Sequence, residues 1–317
     1  MSLRTTLVGA AVGKLSEAEA AWRSLNGMFC VYKPAGITRK GAASILSNKL
    51  AASLNRMEVR PPRRRVQIEN ENGQLVVTSV PSYADHPLVV GERYIKKDVE
   101  VECCDTLDLD WSGVTVWRVG HSKKFKAFQA SNPISSYAIQ ACLGKATDNF
   151  FSSGKVVEKA SFKHVEKARF SKYISSIVAR HQKQAYAYSG VHPDSKAAYE
   201  LAKTGLVRPS GNTPFLIYGL SLTHFKPPDF TLELHCVGDS SDDVHGLVHE
   251  MALDLKTVAH TCAVRRFRYG PFDLKHALLK KHWSVEYVLE NINELSEIVD
   301  RDDFIPEQPW FKEADAV

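Results

Sequence analysis

Several patterns that define common protein classes are missing from this sequence. No apolar stretch approaches the roughly 18 residues needed to cross a membrane, which excludes an integral membrane protein built from helices. The six cysteines contain no Cys-x-x-Cys pair, and the adjacent Cys103 and Cys104 make a poor disulfide framework, so a reducing compartment is favoured. A Gly-x-Ser-x-Gly elbow, a glycine-rich phosphate loop and internal repeats are also absent, which argues against a serine hydrolase, a phosphate-loop enzyme and a repeat protein.

The composition is that of an ordinary globular protein. Of the 317 residues, 44% are hydrophobic and 24% are charged, which excludes a disordered, collagen-like or coiled-coil chain. This length suits one large domain or two modest ones. A chain of this size buries roughly 75% of its unfolded surface on folding, so it needs neither disulfides nor a metal for stability.

The charge is distributed unevenly along the chain. Lysine and arginine number 41 and aspartate and glutamate 36, a net charge of +5. Residues 285–317 hold ten acids and two bases, so this stretch carries −8 and residues 1–284 carry +13. A strongly basic body suggests a polyanionic partner, although solubility alone is a competing reason for net charge. We expect residues 285–317 to form an acidic tail that docks a protein partner.

The first fifteen residues have a composition of their own. They include Arg4 and Lys14, no acid, and several serine, threonine and alanine residues. This composition is typical of a mitochondrial presequence and differs from a secretory signal, which needs an apolar core. Residues 1–15 are therefore predicted to be a mitochondrial targeting segment.

The hydrophobic spacing predicts strands and helices in mixed order. Alternation over residues 230–237 predicts a half-buried strand. Helical spacing over residues 242–255 predicts a helix whose first aspartates suit its dipole. Because no regular alternation of strand and helix is present, we predict an α+β fold for a body covering residues 16–284.

Residues 56–65, with the sequence RMEVRPPRRR, hold five arginines and two prolines and cannot form a regular helix or a central strand. They are predicted to be a basic loop. One interpretation is a phosphate clamp in which Arg60, Arg63, Arg64 and Arg65 contact an RNA backbone. The other is a solvated surface loop.

Two groups of residues raise the question of metal or acid–base chemistry. His245 and His249 have helical spacing, but the residues around them match neither the His-Glu-x-x-His nor the His-x-x-Glu-His motif of zinc proteases. No metal site is therefore predicted. Asp105, Asp108 and Asp110 lie within six residues, just before a predicted strand. They either form a turn that binds a metal or caps an element, or belong to a loop that delivers one aspartate into a cleft. The residue pattern leaves both readings open.

Five short motifs follow one another in a fixed order across residues 25–280. The first is a predicted strand that leads into Lys33, Pro34 and Gly36, and the second is Leu107-Asp108 followed by Gly113. The third is a predicted strand that begins at Tyr137 and leads into Leu-Gly and Thr-Asp. The fourth is a predicted helix with Tyr199, Ala202 and Gly205, and the fifth is Val264-Arg265-Arg266. Together they resemble the TruB family of RNA pseudouridine synthases. The wordings VYKP, LGKATD and LVHE resemble the second, mitochondrial animal branch of that family.

The resemblance implies a pseudouridine synthase fold, with a mixed, mainly antiparallel sheet and helices flanking a central RNA-binding cleft. It implies isomerisation of uridine to pseudouridine in RNA without a cofactor or metal. The target base must leave its stack, which costs a few kcal/mol. Asp108 is then the essential carboxylate, acting either as a covalent nucleophile or as the base that takes a ribose proton.

Other residues acquire roles by the same resemblance. Tyr137 is expected to stack on the flipped base, and Val264 to pack against it. Arg265 and Arg266 are expected to contact phosphate or to support the pocket. The supporting motif residues are Lys33, Pro34 and Gly113.

The chain departs from the family pattern in three places. The family carries an arginine, ion-paired with the catalytic aspartate, where this chain has His245. We expect Asp108 to raise the pKa of His245, so that the two form a working pair with pH-dependent activity. Before the aspartate, residues 102–105 replace the family's Gly and His, and after residue 284 no further RNA-binding module is recognised.

The leading interpretation is a pseudouridine synthase of the mitochondrial matrix that acts on mitochondrial mRNA, tRNA or rRNA. The alternative is a non-catalytic RNA-binding factor with the same fold, acting in mitochondrial RNA handling or ribosome assembly. Asp108 and Tyr137 favour the enzyme, whereas His245 favours the alternative.

Overall fold

The structure, a computed structural model, describes residues 16–59, 64–71, 74–84, 86–105, 107–203, 207 and 214–300. The predicted targeting segment lies outside the described residues, and so does the part of the predicted tail after residue 300.

Local sequence signals start several of the helices. Ser16 and Thr38 are N-caps whose hydroxyl oxygens accept a backbone N–H from the first turn, and Ser240 forms a reciprocal capping box with Asp243. No helix of the described residues is both long enough and apolar enough to cross a bilayer. The helices are α1 (Glu17–Ser24), α2 (Arg39–Arg56), α3 (Pro87–Val90), α4 (Lys123–Ala130), α5 (Lys167–Tyr188), α6 (Lys196–Lys203), α7 (Ser241–Asp254) and α8 (Val285–Asp300).

The strands are rich in β-branched and aromatic residues, which suit a pleated, half-buried surface. They are β1 (Gly27–Lys33), β2 (Arg64–Glu71), β3 (Gln74–Pro81), β4 (Val101–Cys103), β5 (Ser112–Val119), β6 (Ser135–Leu143), β7 (Lys145–Thr147), β8 (Val156–Lys159), β9 (Leu216–Lys226), β10 (Asp229–Val237), β11 (Ala259–Tyr269) and β12 (Phe272–Asp273).

One large sheet organises the molecule. Its strand order is β1-β5-β11-β6-β10-β9, with β4 paired to β5 and β12 paired to β11. Strands β5 and β11 run parallel, and the other paired neighbours are antiparallel. The hairpins β2–β3 and β7–β8 form separate two-stranded sheets. The predicted α+β class with a mixed, mainly antiparallel sheet is confirmed.

Each half of the large sheet has its own apolar core. Helices α5 and α7 contribute to the core of the half made by β6, β10 and β9, where Phe170 and Phe230 pack edge to face with ring centroids 5.2 Å apart. On the other half, Leu46 of α2 and Val288 of α8 share a buried cluster with Phe29 of β1. The junction of β5 and β11 therefore lies between two packed halves.

The predicted acidic tail is wrong for its first half. Residues 285–300 form α8, in which Leu295 is fully buried. The buried amide of Asn291 accepts the backbone N–H of Cys30 at 2.8 Å, which ties α8 to β1. The acids lie mainly on one side of a helix whose other side is apolar, and a count of charge alone conceals that periodicity. Residues 301–317 of the predicted tail lie outside the described residues.

The predicted basic loop is also wrong in part. Arg56 ends α2, and the exposed Arg64 and Arg65 begin β2, whereas Arg60 and Arg63 lie outside the described residues. A strand begins there because alternating apolar residues follow the two prolines. The exclusion of a central strand is confirmed, since β2 pairs with β3 and is not part of the large sheet.

We predict that α8 contributes to the stability of the whole body. Leu295→Ala removes a fully buried side chain and should lower the free energy of unfolding by about 2–5 kcal/mol, measured by urea denaturation. Glu294→Ala changes the exposed neighbour and should stay within about 0.5 kcal/mol of the wild type. Equal effects of the two substitutions would contradict the packing of α8.

Candidate active site

Asp108 lies in a turn that connects β4 to β5. The backbone N–H of Trp111 donates to the Asp108 carbonyl at 3.3 Å, and the carboxylate accepts the N–H of Leu109 at 2.6 Å. The Asp108 side chain is exposed. Because a strand follows, the carboxylate does not cap a helix, and no group of three or more metal-ligating side chains occurs among the described residues. The turn thus presents a fixed carboxylate to solvent.

The Lys33 side chain binds the backbone of this turn. Its side chain is only 1% exposed at the end of β1. The ammonium group donates to three backbone carbonyl oxygens of the turn, those of Asp108 at 2.6 Å, Leu109 at 3.3 Å and Trp111 at 2.7 Å. The N–H of Gly36 donates to the Leu109 carbonyl at 2.8 Å. The segment from Lys33 to Gly36 therefore determines the shape of the Asp108 turn. Pro34 lies in this segment, directly after the end of β1.

Burial changes the titration of Lys33. Loss of hydration lowers the pKa of Lys33 from 10.5 to about 8, and the Asp108 carboxylate nearby opposes that change. Charge on Lys33 is thus costly in the folded protein, although the three carbonyl oxygens receive it.

The parallel pairing of β5 and β11 supports the turn from the side. Gly113 lies opposite Arg266 with a φ of +134°, in the region that favours glycine. A Cβ atom at Gly113 would lie 2.6 Å from the Arg266 backbone nitrogen and closer still to its carbonyl oxygen. Only glycine lets the two strands approach this closely.

Arg266 supports the turn and does not face solvent. Its guanidinium donates to the Val114 carbonyl at 2.8 Å, forms an ion pair with Asp105 and lies 4.2 Å from the ring centroid of Tyr269. The Arg266 side chain is 2% exposed, and these contacts are with groups of the protein itself. Arg265 is exposed and lies over the ring of Tyr32 at 5.7 Å.

An aromatic cluster lies behind the turn. Tyr137 is 1% exposed, and its hydroxyl donates to Asp239. Its ring contacts the Trp111 ring edge to face, with centroids 5.2 Å apart. Val264 is buried in the same cluster. Burial raises the pKa of the Tyr137 hydroxyl, and the Asp239 carboxylate raises it further.

His245 lies in this cluster and is not paired with Asp108. Its Nε2 atom accepts the indole N–H of Trp111 at 3.1 Å, and no ion pair joins it to Asp108 among the described residues. Burial lowers the pKa of His245 below 6.5, although Asp108 acts in the opposite direction. The expected rise of this pKa is therefore wrong, because desolvation outweighs the charge of the aspartate.

The structure brings together most of the residues that the motifs single out. Lys33, Asp108, Gly113 and Arg266 meet at one turn. The exposed Arg64 lies on the separate β2–β3 hairpin.

The sequence motifs assigned no role to three residues of the site. Trp111 connects the turn to α7, Asp105 pairs with Arg266, and Asp239 accepts the Tyr137 hydroxyl. Asp105 belongs to the conspicuous carboxylate cluster, but nothing local in the sequence identifies its partner 161 residues away.

Comparison with known proteins shows similarity to one family over most of the chain. A model described as "TruB family pseudouridylate synthase (N terminal domain)" matches residues 94–240. The chain is 35% identical to "Pseudouridylate synthase TRUB2, mitochondrial" of Homo sapiens over 277 residues, which is 84% of this chain and 83% of that protein. It is 34% identical to the protein of the same name from Xenopus tropicalis over 287 residues, 87% of each.

A bacterial relative is more distant. The chain is 28% identical to "tRNA pseudouridine synthase B" of Syntrophotalea carbinolica over 208 residues, 65% of this chain and 67% of that protein. The chain belongs to the TruB family of pseudouridine synthases, which are isomerases that modify RNA.

The close approach of β5 and β11 yields a stability prediction. Gly113→Ala should lower the free energy of unfolding by at least about 2 kcal/mol, because the added methyl group meets backbone atoms that cannot move aside. Gly246→Ala in α7 is the matched control, since a Cβ there meets nothing within 4 Å. This control should be neutral or stabilising by up to about 1 kcal/mol in the same urea titration. A tolerated Gly113→Ala would refute the packing described.

The burial of Lys33 yields a pH prediction. Between pH 8 and 10.5 the unfolded chain keeps a proton on Lys33 that the folded chain loses, so wild-type stability should rise with pH relative to Lys33→Met. The gain is at most about 3 kcal/mol across that window, measured as the difference in free energy of unfolding. Lys40→Met, at an exposed lysine of α2, should show no such trend. A flat difference for Lys33→Met would contradict its burial.

Proposed function

We propose that this protein isomerises uridine to pseudouridine in RNA and that Asp108 is the catalytic carboxylate. The observation that carries the proposal is the exposed Asp108 carboxylate on a turn held by the Lys33 ammonium group. A catalytic group must be held within a fraction of an ångström of its working position. Membership of the TruB family supplies the reaction.

The proposed reaction moves one bond. The bond from ribose C1′ to uracil N1 breaks, a bond from C1′ to uracil C5 forms, and the hydrogen on C5 is replaced by one on N1. Asp108 acts either as a nucleophile at C1′ or as the base that takes a ribose proton while uracil detaches. Neither route needs a cofactor or a metal. The detached base must stay in a site closed to water until it rejoins the ribose.

The other site residues receive roles from their positions. We propose that Tyr137 and Val264, buried behind the turn, form the apolar floor on which the flipped base packs. The exposed Arg265 is assigned to the RNA backbone, and so are Arg64 and Arg65 on β2.

The substitution of histidine at position 245 bears on the rate. His245 accepts a hydrogen bond from Trp111 and is therefore a neutral neighbour of Asp108, where the family resemblance implies an arginine. We propose that activity is retained at a lower rate, because no cation among the described residues forms an ion pair with the Asp108 carboxylate. The same feature keeps a second candidate open, a non-catalytic RNA-binding factor with this fold.

We place the protein in the mitochondrial matrix. The relatives from Homo sapiens and Xenopus tropicalis carry "mitochondrial" in their names. The composition of residues 1–15 suits import. The proposed substrates are mitochondrial mRNA and tRNA, and the bacterial relative's name specifies tRNA. Residues 301–317 are proposed to dock a protein partner.

Asp108→Asn tests catalysis directly. Transcripts of mitochondrial RNA are incubated with the wild type or with the variant. We expect the variant to form no pseudouridine at the sites that the wild type modifies, because an amide can serve neither as nucleophile nor as base. The RNA dissociation constant should change less than about threefold, since the carboxamide has the same size. Asp110→Asn, at the exposed carboxylate two residues later, should leave the modified sites unchanged.

The same variants decide between the two functions in cells. Cells that lack the protein and express Asp108→Asn should lose those pseudouridines, whereas cells that express Asp110→Asn should retain them. Modification that persists with Asp108→Asn would exclude Asp108 as the catalytic group. Full rescue by Asp108→Asn, with no pseudouridine dependent on the protein, would establish the non-catalytic factor instead.

A further inference from the structure

His245 is buried beside the Asp108 turn and one of its nitrogens has no partner. The side chain is 6% exposed and contacts two aromatic rings, with centroid distances of 5.5 Å to Trp111 and 5.3 Å to Phe151. The Nδ1 atom is buried and has no hydrogen-bond partner among the described residues. A buried polar atom without a partner is uncommon in proteins and requires a reason.

The hydrogen bond from Trp111 determines which nitrogen carries the proton. An indole N–H can only donate, so His245 Nε2, 3.1 Å away, must be the unprotonated acceptor. A neutral imidazole keeps one proton, which must then be on Nδ1. The unpartnered atom is therefore an N–H donor and needs an acceptor.

Trp111 is rigidly attached to the catalytic turn. Its backbone N–H donates to the Asp108 carbonyl, and its own carbonyl accepts from the Lys33 ammonium group at 2.7 Å. The ring is 2% exposed and packs edge to face on Tyr137. A residue fixed at both its backbone and its ring is suited to hold a neighbour in one protonation state.

We propose that Trp111 is a positioning residue that holds His245 as the Nδ1–H tautomer, and that this N–H donates to a carbonyl oxygen of the substrate uracil. The inference rests on the proposed function. When the bond from C1′ to N1 breaks, negative charge spreads onto the uracil carbonyl oxygens. A pre-oriented donor favours that state over the bound ground state, so its loss lowers kcat more than it raises KM.

The tautomer is tested without reference to activity. In the ¹⁵N spectrum of the folded wild-type protein at pH 7, His245 should show a protonated Nδ1 and an unprotonated Nε2. Trp111→Phe keeps a ring and removes the N–H, so His245 should become a mixture of tautomers. Trp117→Phe is the matched control, because the buried Trp117 also loses an indole hydrogen bond, to Thr115, without touching His245. An Nε2-protonated His245 in the wild type would overturn the assignment.

A double-mutant cycle tests the functional coupling. With an RNA that the wild type modifies, Trp111→Phe and His245→Phe should each lower kcat about tenfold, with KM changed less than threefold. The double variant should lose no more than His245→Phe alone, because both changes remove the same donor. Trp117→Phe should keep kcat within twofold. Losses that multiply in the double variant would overturn the coupling.

Thio-substituted substrates test the bond to uracil. Sulfur is a weaker acceptor than oxygen, so 2-thiouridine or 4-thiouridine at the target position should slow the wild type more than it slows His245→Phe. Equal slowing of both proteins by both substrates would overturn the contact with the base. A wild type that forms no pseudouridine on any RNA would refute the proposed function, and the ¹⁵N spectra would still decide the link between Trp111 and His245.

Discussion

The position of Asp108 depends on one buried ammonium group. Lys33 comes from the end of β1, and the turn that it binds lies 75 residues later in the chain. Three carbonyl oxygens converge on its Nζ atom, and each would lose a partner if the turn took another shape. Because a buried charge is costly without such partners, the ammonium group and the turn determine each other's conformation. This coupling holds the backbone of the turn that carries the exposed Asp108 carboxylate.

The parallel pairing of β5 and β11 completes the support. Gly113 permits an approach of the two strands that no larger residue allows, and this brings Arg266 beneath the turn. Its guanidinium is paired with Asp105, so no uncompensated charge is left in the core. Such an ion pair adds little net stability relative to apolar packing, and here it connects Asp105 to β11. The carboxylate is thus held from two sides by residues remote in sequence.

The short motifs predicted which residues form this site, but they did not predict how deeply those residues are buried or what they contact. Lys33, Gly113 and Arg266 do lie together, as a common functional unit requires. The direction of the pKa of His245 was wrong, because that value depends on how deeply the ring is buried, and burial is not visible in one helix's sequence. The acidic tail was wrong for residues 285–300, because net charge carries no information on which side of a helix the acids lie. The role of Trp111 was not predicted, since its partner lies 134 residues away.

The sequence by itself determined the fold class, the order of the motifs and the identity of the reacting carboxylate as a prediction. These follow from local periodicity, from glycine and proline positions, and from the resemblance of five motifs to one family. Only the tertiary structure decided which of those residues face solvent and which hydrogen-bond partners each one has. Lys33 and Arg266 are buried, Arg265 is exposed, and the buried His245 accepts the indole N–H of Trp111. Burial and hydrogen-bond partners both arise only when distant segments pack together.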